Sequence, residues 1–206
     1  MADQYETLLV ETVEPHILKV TLNRPQALNA LNRAMCVALH RQLMDWAIDD
    51  GVEAVVVEGA GDRAFCAGGD VVGLHTAGKA NSADWEGFFH DEYRLNQAIA
   101  HYPKPYVALV DGISMGGGVG ISQPCKYRIA TENTRFAMPE GTIGLFPDVG
   151  GGWYLARLPG HAGKADGHRG EYRHARRHAQ AVAGDEASDS IAACVAARLH
   201  RFAAQV

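Results

Sequence analysis

The chain lacks a run of apolar residues approaching the ~20 that a membrane-spanning helix needs, and its first six residues, MADQYE, are acidic and polar, unlike a targeting peptide. Cysteine is sparse: Cys36, Cys66, Cys125 and Cys194 are scattered, with neither the close pairs of a zinc site nor the density of a disulfide framework. That pattern gives the expectation of a reducing, cytoplasmic setting. Positive charge is also in deficit. The formal net charge is -5, and no lysine and arginine stripe interleaves with aromatics in the first 160 residues, which argues against nucleic acid as a partner. No internal repeat is visible. At 206 residues, 47% hydrophobic and 21% charged, the chain has the composition of one folded domain.

The pattern that is present alternates strands with helices. Ile17 to Leu22 alternates and stops at Asn23-Arg24-Pro25, which predicts a strand and a turn. Asn32 is placed to cap a helix through Met35, Leu39, Leu43 and Trp46-Ala47, ended by Gly51. Ala54 to Val57 and Tyr106 to Val110 are continuous apolar runs suited to strands buried on both faces. A second long helix fits Asp84 to His101, and Tyr127–Ala130 and Arg135–Ala137 read as short strands around a turn at Glu132-Asn133. This order predicts an α/β fold with helices on a largely parallel sheet. Thr76 to Ser82, small and polar, reads as a mobile loop.

Three segments carry chemistry. In MPEGTIGLFPDVGGG, Met138 to Gly152, Glu140 and Asp148 lie among apolar side chains, where a carboxylate loses hydration. The alternative is a capped turn with two solvated acids. AFCAGGD, ending at Asp70, follows the Ala54–Val57 strand, and Asp70 is placed to cap a following helix. DGISMGGGVG, Asp111 to Gly120, follows the Tyr106–Val110 strand. Glycines at these junctions allow either tight helix packing or close approach of a ligand to backbone N–H groups. The Gly116-x-Gly118 spacing lacks the third glycine of a dinucleotide fingerprint, and no P-loop lysine follows. Two strand-to-glycine junctions can supply two converging N–H donors, an oxyanion hole for an acyl group.

These motifs, together with HDEYRLN at His90 to Asn96 and KPYVALVDG at Lys104 to Gly112, resemble the crotonase (enoyl-CoA hydratase/isomerase) superfamily, in the form of its 3-hydroxyisobutyryl-CoA hydrolase branch. The resemblance runs from about Val13 to Gly160 and implies a ββα spiral core. It implies that the N–H groups of Gly69 and Gly117 hold a thioester oxygen, that Glu140 is nucleophile or general base, and that Asp148 engages the substrate hydroxyl. It also implies that Glu92 is a substrate contact, against the alternative of a solvated acid on a helix face. The implied reaction is hydrolysis of a short 3-hydroxyacyl-CoA in valine catabolism. The substrate itself carries the coenzyme A, no cofactor or metal is expected, nor any nucleic acid or membrane partner, and a homo-oligomer stays open. Hydratases of the superfamily place a second glutamate just after the triple glycine, where this chain has Gly120. That departure costs a hydratase one of its two carboxylates and favours a hydrolase, with an isomerase that uses Asp148 or Glu140 as its single base as the runner-up.

The family pattern ends at Leu158-Pro159-Gly160. From His161 onward alanine, arginine and histidine crowd the sequence, and 5 of the 10 histidines fall there. The expectation is an acyl-CoA-binding core over residues 1–160. The C-terminal helical part would be missing or replaced, by truncation or frameshift, by an atypical flexible tail over 161–206. An inactive acyl-CoA-binding protein is then the non-enzymatic alternative.

Overall fold

The computed structural model describes residues 7–157 and a two-residue strand at 173–174. The boundary expected at Gly160 and, that strand apart, the tail beyond it lie outside the described residues. In chain order come β1 (Leu8–Glu14), β2 (Ile17–Leu22), α1 (Arg33–Ala47), β3 (Ala54–Gly59), β4 (Ala64–Cys66), α2 (Val71–Lys79) and α3 (Asp84–Ala100). They are followed by β5 (Tyr106–Val110), β6 (Ile113–Met115), α4 (Gly117–Ser122), β7 (Tyr127–Ala130), β8 (Arg135–Ala137), α5 (Gly151–Leu155) and β9 (Arg173–His174). A 3-10 turn over Pro139–Ile143 follows β8.

Two sheets share the strands. The larger has the order β1-β2-β3-β5-β7 and the smaller β4-β6-β8-β9. β1 pairs antiparallel with β2, while β2, β3, β5 and β7 run parallel. β4, β6 and β8 are likewise parallel. Each winding therefore lays one strand in the large sheet and the next in the small one, then turns into a helix: β3-β4-α2, then β5-β6-α4, then β7-β8 and the 3-10 turn. This is a ββα spiral. The first winding has only an isolated bridge, Leu31 to Gly69, where the second strand would be.

The large sheet is buried on both faces, which explains the unbroken apolar run of β3. Val55 and Val57 join Leu39, Leu43, Leu95 and Ile99 under α1 and α3. Ala54 and Val56 join Ile17 and Val107 on the other face. Asn32 accepts a hydrogen bond from the Met35 amide at 2.9 Å and starts α1 as its spacing predicts. The far end of α1 is closed by Lys104, whose Nζ donates to the carbonyls of Trp46 and Asp49, each at 2.6 Å.

Thr76 to Ser82 is not a loop throughout: α2 runs to Lys79. Asp70 caps it by accepting from the Gly73 amide at 3.0 Å, and the Thr76 hydroxyl is absorbed by the Val72 carbonyl at 2.9 Å. The small sheet, apart from β8, was not legible, because β4 and β6 are three residues long and show no period.

The spiral closes on glycine. A Cβ at Gly118 would overlap the Cys66 carbonyl oxygen and stand 2.9 Å from its carbon, whereas one at Gly78, inside α2, meets nothing within 4 Å. Gly118→Ala should therefore destabilise by about 3 kcal/mol, at the upper end of overpacking costs. Gly78→Ala should stabilise by ~0.5–1 kcal/mol through helix propensity. Urea denaturation followed by circular dichroism checks both, and equal effects of the two variants would contradict the packing described.

Candidate active site

The ends of β4 and β6 lead into two glycine turns that touch. Gly68 (φ +111°) and Gly116 (φ +46°) both occupy backbone conformations that side chains disfavour. A Cβ on Gly68 would stand 3.2 Å from the Met115 carbonyl oxygen and 3.6 Å from the Gly117 nitrogen. A Cβ on Gly117 would stand 3.4 Å from the Gly69 nitrogen. The amides of Gly69 and Gly117 are thus neighbours, and among the described residues neither donates to a protein acceptor. The first turn is braced by Asp70, whose Oδ2 accepts from Arg24 Nη2 at 2.7 Å.

Three carboxylates converge on these turns. Glu92, on α3, is 2% exposed, and its Oε1 has no hydrogen-bond partner. A side chain on Gly117 would run into that oxygen. Glu92 is therefore not a solvated acid on a helix face. Burial, then the charges of Asp148 and Glu140, push its carboxyl up to about 8. Glu140, in the 3-10 turn after β8, is 7% exposed, and its Oε1 lies 2.8 Å from where a Cβ on Gly116 would be. Its Oε2 is unpartnered. Burial first, opposed by its own backbone amide and aided by Asp148, raises Glu140 to about 6. Asp148, on the loop before α5, accepts from the Tyr93 hydroxyl at 2.7 Å. Burial and this hydrogen bond raise the Tyr93 phenol in turn.

The structure brings Gly69, Gly117, Glu92, Glu140 and Asp148 into one site. Sequence reasoning missed Tyr93 and Asn96. Both lie on α3 beside Glu92, and the helical period offered the signal, since Asn96 is four residues on. A groove of about 480 Å³ opens beside the acids, lined by Tyr93, Asn96, Phe146, Asp148, Val149 and Trp153 among others. Position 120 is filled from outside. A Cβ on Gly120 would stand 2.7 Å from Val149 Cβ and 3.0 Å from both ends of the Asn96 amide. Val149 reaches it from a left-handed backbone conformation (φ +42°) that a β-branched residue adopts only under constraint. Among the described residues no group of three or more His, Cys, Asp or Glu is placed to hold a metal ion, and no helix is long and apolar enough to cross a membrane.

A sequence model of the family described as Enoyl-CoA hydratase/isomerase matches residues 17–192. The mitochondrial 3-hydroxyisobutyryl-CoA hydrolase of Xenopus tropicalis is 56% identical over 144 residues, 70% of this chain and 37% of that protein. The chain thus spans little more than a third of the length of that relative. Among solved structures, a carnitinyl-CoA dehydratase from Mycobacterium thermoresistibile is 47% identical with a TM-score of 0.78, over 81% of this chain and 49% of that one. A Pseudomonas aeruginosa protein is 34% identical with a TM-score of 0.79, over 97% of this chain and 86% of that one. The expected cytoplasmic setting is overturned by the curated relatives, which are mitochondrial by name. The buried free thiols of Cys36, Cys66 and Cys125 fit any reducing compartment and never distinguished one from another.

Glu92 also sets a pH dependence of stability. Its carboxyl is raised from 4.5 to about 8, so the folded protein binds this proton more tightly than the unfolded chain. The stability this supplies is full below the unfolded value and is lost as pH rises through the folded one. Glu92→Gln cannot ionise, so between about pH 6.5 and 8.5 its urea midpoint should fall less than that of the wild type. Parallel curves for the two proteins would show that Glu92 does not titrate in this window.

Proposed function

Because the chain belongs to the enoyl-CoA hydratase/isomerase family, we propose that it hydrolyses the thioester of a short 3-hydroxyacyl-CoA, of which 3-hydroxyisobutyryl-CoA is the first candidate. The observation that carries this reading is the pairing of Glu140 with Asp148 while position 120 is closed to a second acid. Addition of water across a double bond needs a concerted acid and base at the two carbons. A glutamate at 120 would have to displace Val149 and Asn96, whose atoms lie within 3.0 Å of where its Cβ would start.

In this reading the thioester oxygen lies against the free amides of Gly69 and Gly117, which take up the charge it gains when the carbonyl carbon becomes tetrahedral. Glu140 supplies the electron pair, either by attacking the carbonyl carbon or by drawing a proton from the attacking water. Collapse of the tetrahedral intermediate breaks the carbon–sulfur bond and releases coenzyme A as thiolate. The balance is thioester and water in, 3-hydroxy acid and thiol out. Asp148, steadied by Tyr93, faces the substrate's hydroxyl. Glu92, neutral below about pH 8, adds a proton donor to the same site without a third negative charge near the developing oxyanion.

A hydratase reading is favoured by the name of the 47% identical solved structure, a carnitinyl-CoA dehydratase, and the same experiment separates the two. Purified full chain is mixed with 3-hydroxyisobutyryl-CoA and free thiol is followed, with crotonyl-CoA hydration measured in parallel. Thiol release should be reduced ~10²–10³-fold or more by Glu140→Gln, as for loss of a group acting in the transition state. Its kcat/KM should rise with pH through about 6, where Glu140 ionises. Crotonyl-CoA hydration with no thiol release would replace the hydrolase reading by the hydratase one. Binding of the thioester without either reaction would leave an acyl-CoA-binding protein.

A further inference from the structure

One polar side chain beside the acids is used neither by the core nor by the steps above. Asn96 is 9% exposed, and neither its Nδ2 nor its Oδ1 has a hydrogen-bond partner. A buried primary amide with both ends unsatisfied lowers stability, and an apolar side chain of the same shape would not. Its surroundings indicate what takes up those bonds. Asn96 lines the groove together with Tyr93, Asp148 and Val149. Both ends of its amide lie 3.0 Å from the point where a side chain on residue 120 would begin, and Gly120 has none. The amide can therefore turn about its last bond toward the groove without meeting residue 120.

We propose that Asn96 is the specificity-determining residue for the 3-hydroxyl of the acyl group, donating to it from Nδ2. This rests on the thioester-hydrolase reading and names the group that reads its substrate. A hydroxyl is both donor and acceptor. Asp148, when ionised, can only accept, so it takes the hydroxyl proton and leaves the oxygen's lone pairs without a donor. The Tyr93 hydroxyl already gives its hydrogen to Asp148 Oδ2. Gln97 and Trp153 also line the groove with N–H groups, but both are exposed to water, whereas the Asn96 amide is buried with its N–H groups unspent. The amide also suits a site that already holds Glu92, Glu140 and Asp148, because it adds a donor and no charge. A site whose buried polar groups await a substrate hydroxyl rejects the analogue that lacks one, since they then stay unpaired.

The test compares 3-hydroxyisobutyryl-CoA with isobutyryl-CoA, the same carbon skeleton without the hydroxyl. Asn96→Ala should lower kcat/KM for the hydroxylated thioester about 10–100-fold more than for the other, a loss typical of one buried hydrogen bond. Equal losses on both would overturn the proposal and make Asn96 a packing residue. Asn96→Leu, which keeps the volume, serves should the alanine variant fail to fold. Inhibition constants of the two corresponding non-hydrolysable thioethers, measured on wild type and variant by competition for acyl-CoA binding, do not depend on turnover. A wild type that hydrolyses neither thioester removes the hydrolase reading. A preference for the hydroxylated thioether that vanishes in the variant would still uphold Asn96, and its absence in the wild type would sink it.

Discussion

No side chain fits between the turn after β4 and the turn after β6, and the site depends on that contact. A Cβ on Gly118 would overlap the Cys66 carbonyl, one on Gly68 would crowd the Met115 carbonyl at 3.2 Å, and one on Gly117, beside the Gly69 nitrogen, would run into Glu92 Oε1. What these glycines contribute is thinness rather than flexibility. With backbone against backbone, two amides from different windings of the spiral lie side by side. The oxygens of Glu140 and Glu92 can then settle over Gly116 and Gly117. A methyl group at Gly118 would force the start of α4 away from Cys66 at the end of β4, and one at Gly117 would displace the Glu92 carboxyl.

Three carboxylates in one neighbourhood cannot all carry charge cheaply, and burial sorts them. Glu92, the most deeply enclosed, keeps its proton up to about 8, while Glu140 releases its own near 6. Asp148 is turned toward the Tyr93 hydroxyl. At neutral pH the group therefore divides into a neutral acid and at least one ionised base. Carboxyls whose surroundings push their affinities for protons apart are how one site holds an acid and a base at a single pH. Because the charges act on each other, the observed titrations belong to the cluster rather than to single residues.

Most of the large sheet was legible because its physics is local. β2 alternates, β3 and β5 are unbroken apolar runs, and α1 carries both its cap and its period. The small sheet was not, since three-residue strands leave no pattern and hold their place through contacts between windings. A helix after Asp70 was expected, but its last turn from Thr76 read as a loop, because Gly78 and threonine weaken its propensity and α2 has no buried residue to mark a face. In the site, Glu140 and Asp148 stand out as acids in an apolar stretch and the glycine clusters as strand-end junctions, whereas Gly69, Gly117 and Glu92 were singled out by the family resemblance. Tyr93 and Asn96 were not picked out: the helical period sets Asn96 beside Glu92, but their part depends on which side of α3 meets the loop before α5. Gly120 was visible only as a missing acid. The structure adds the physical reason, a strained Val149 and a buried amide already filling the place.

α3 shows why these departures belong together. Its buried stripe runs through Phe88, Glu92, Leu95, Asn96 and Ile99, so two polar residues interrupt a seam that would be more stable if it were apolar throughout. Of the eight buried side-chain atoms without a partner among the described residues, four belong to Glu92, Asn96 and Glu140. The left-handed Val149 packs against the same spot. Elsewhere in the core, Leu39, Leu43, Val55 and Val57 obey ordinary packing rules. Rules kept across the core and broken several times within one small volume mark that volume as a functional site. In the proposed reading a thioester with a hydroxyl two carbons from its carbonyl meets the groups there, bringing an oxygen for the two amides, a carbon for Glu140 and a hydroxyl for Asp148 and Asn96.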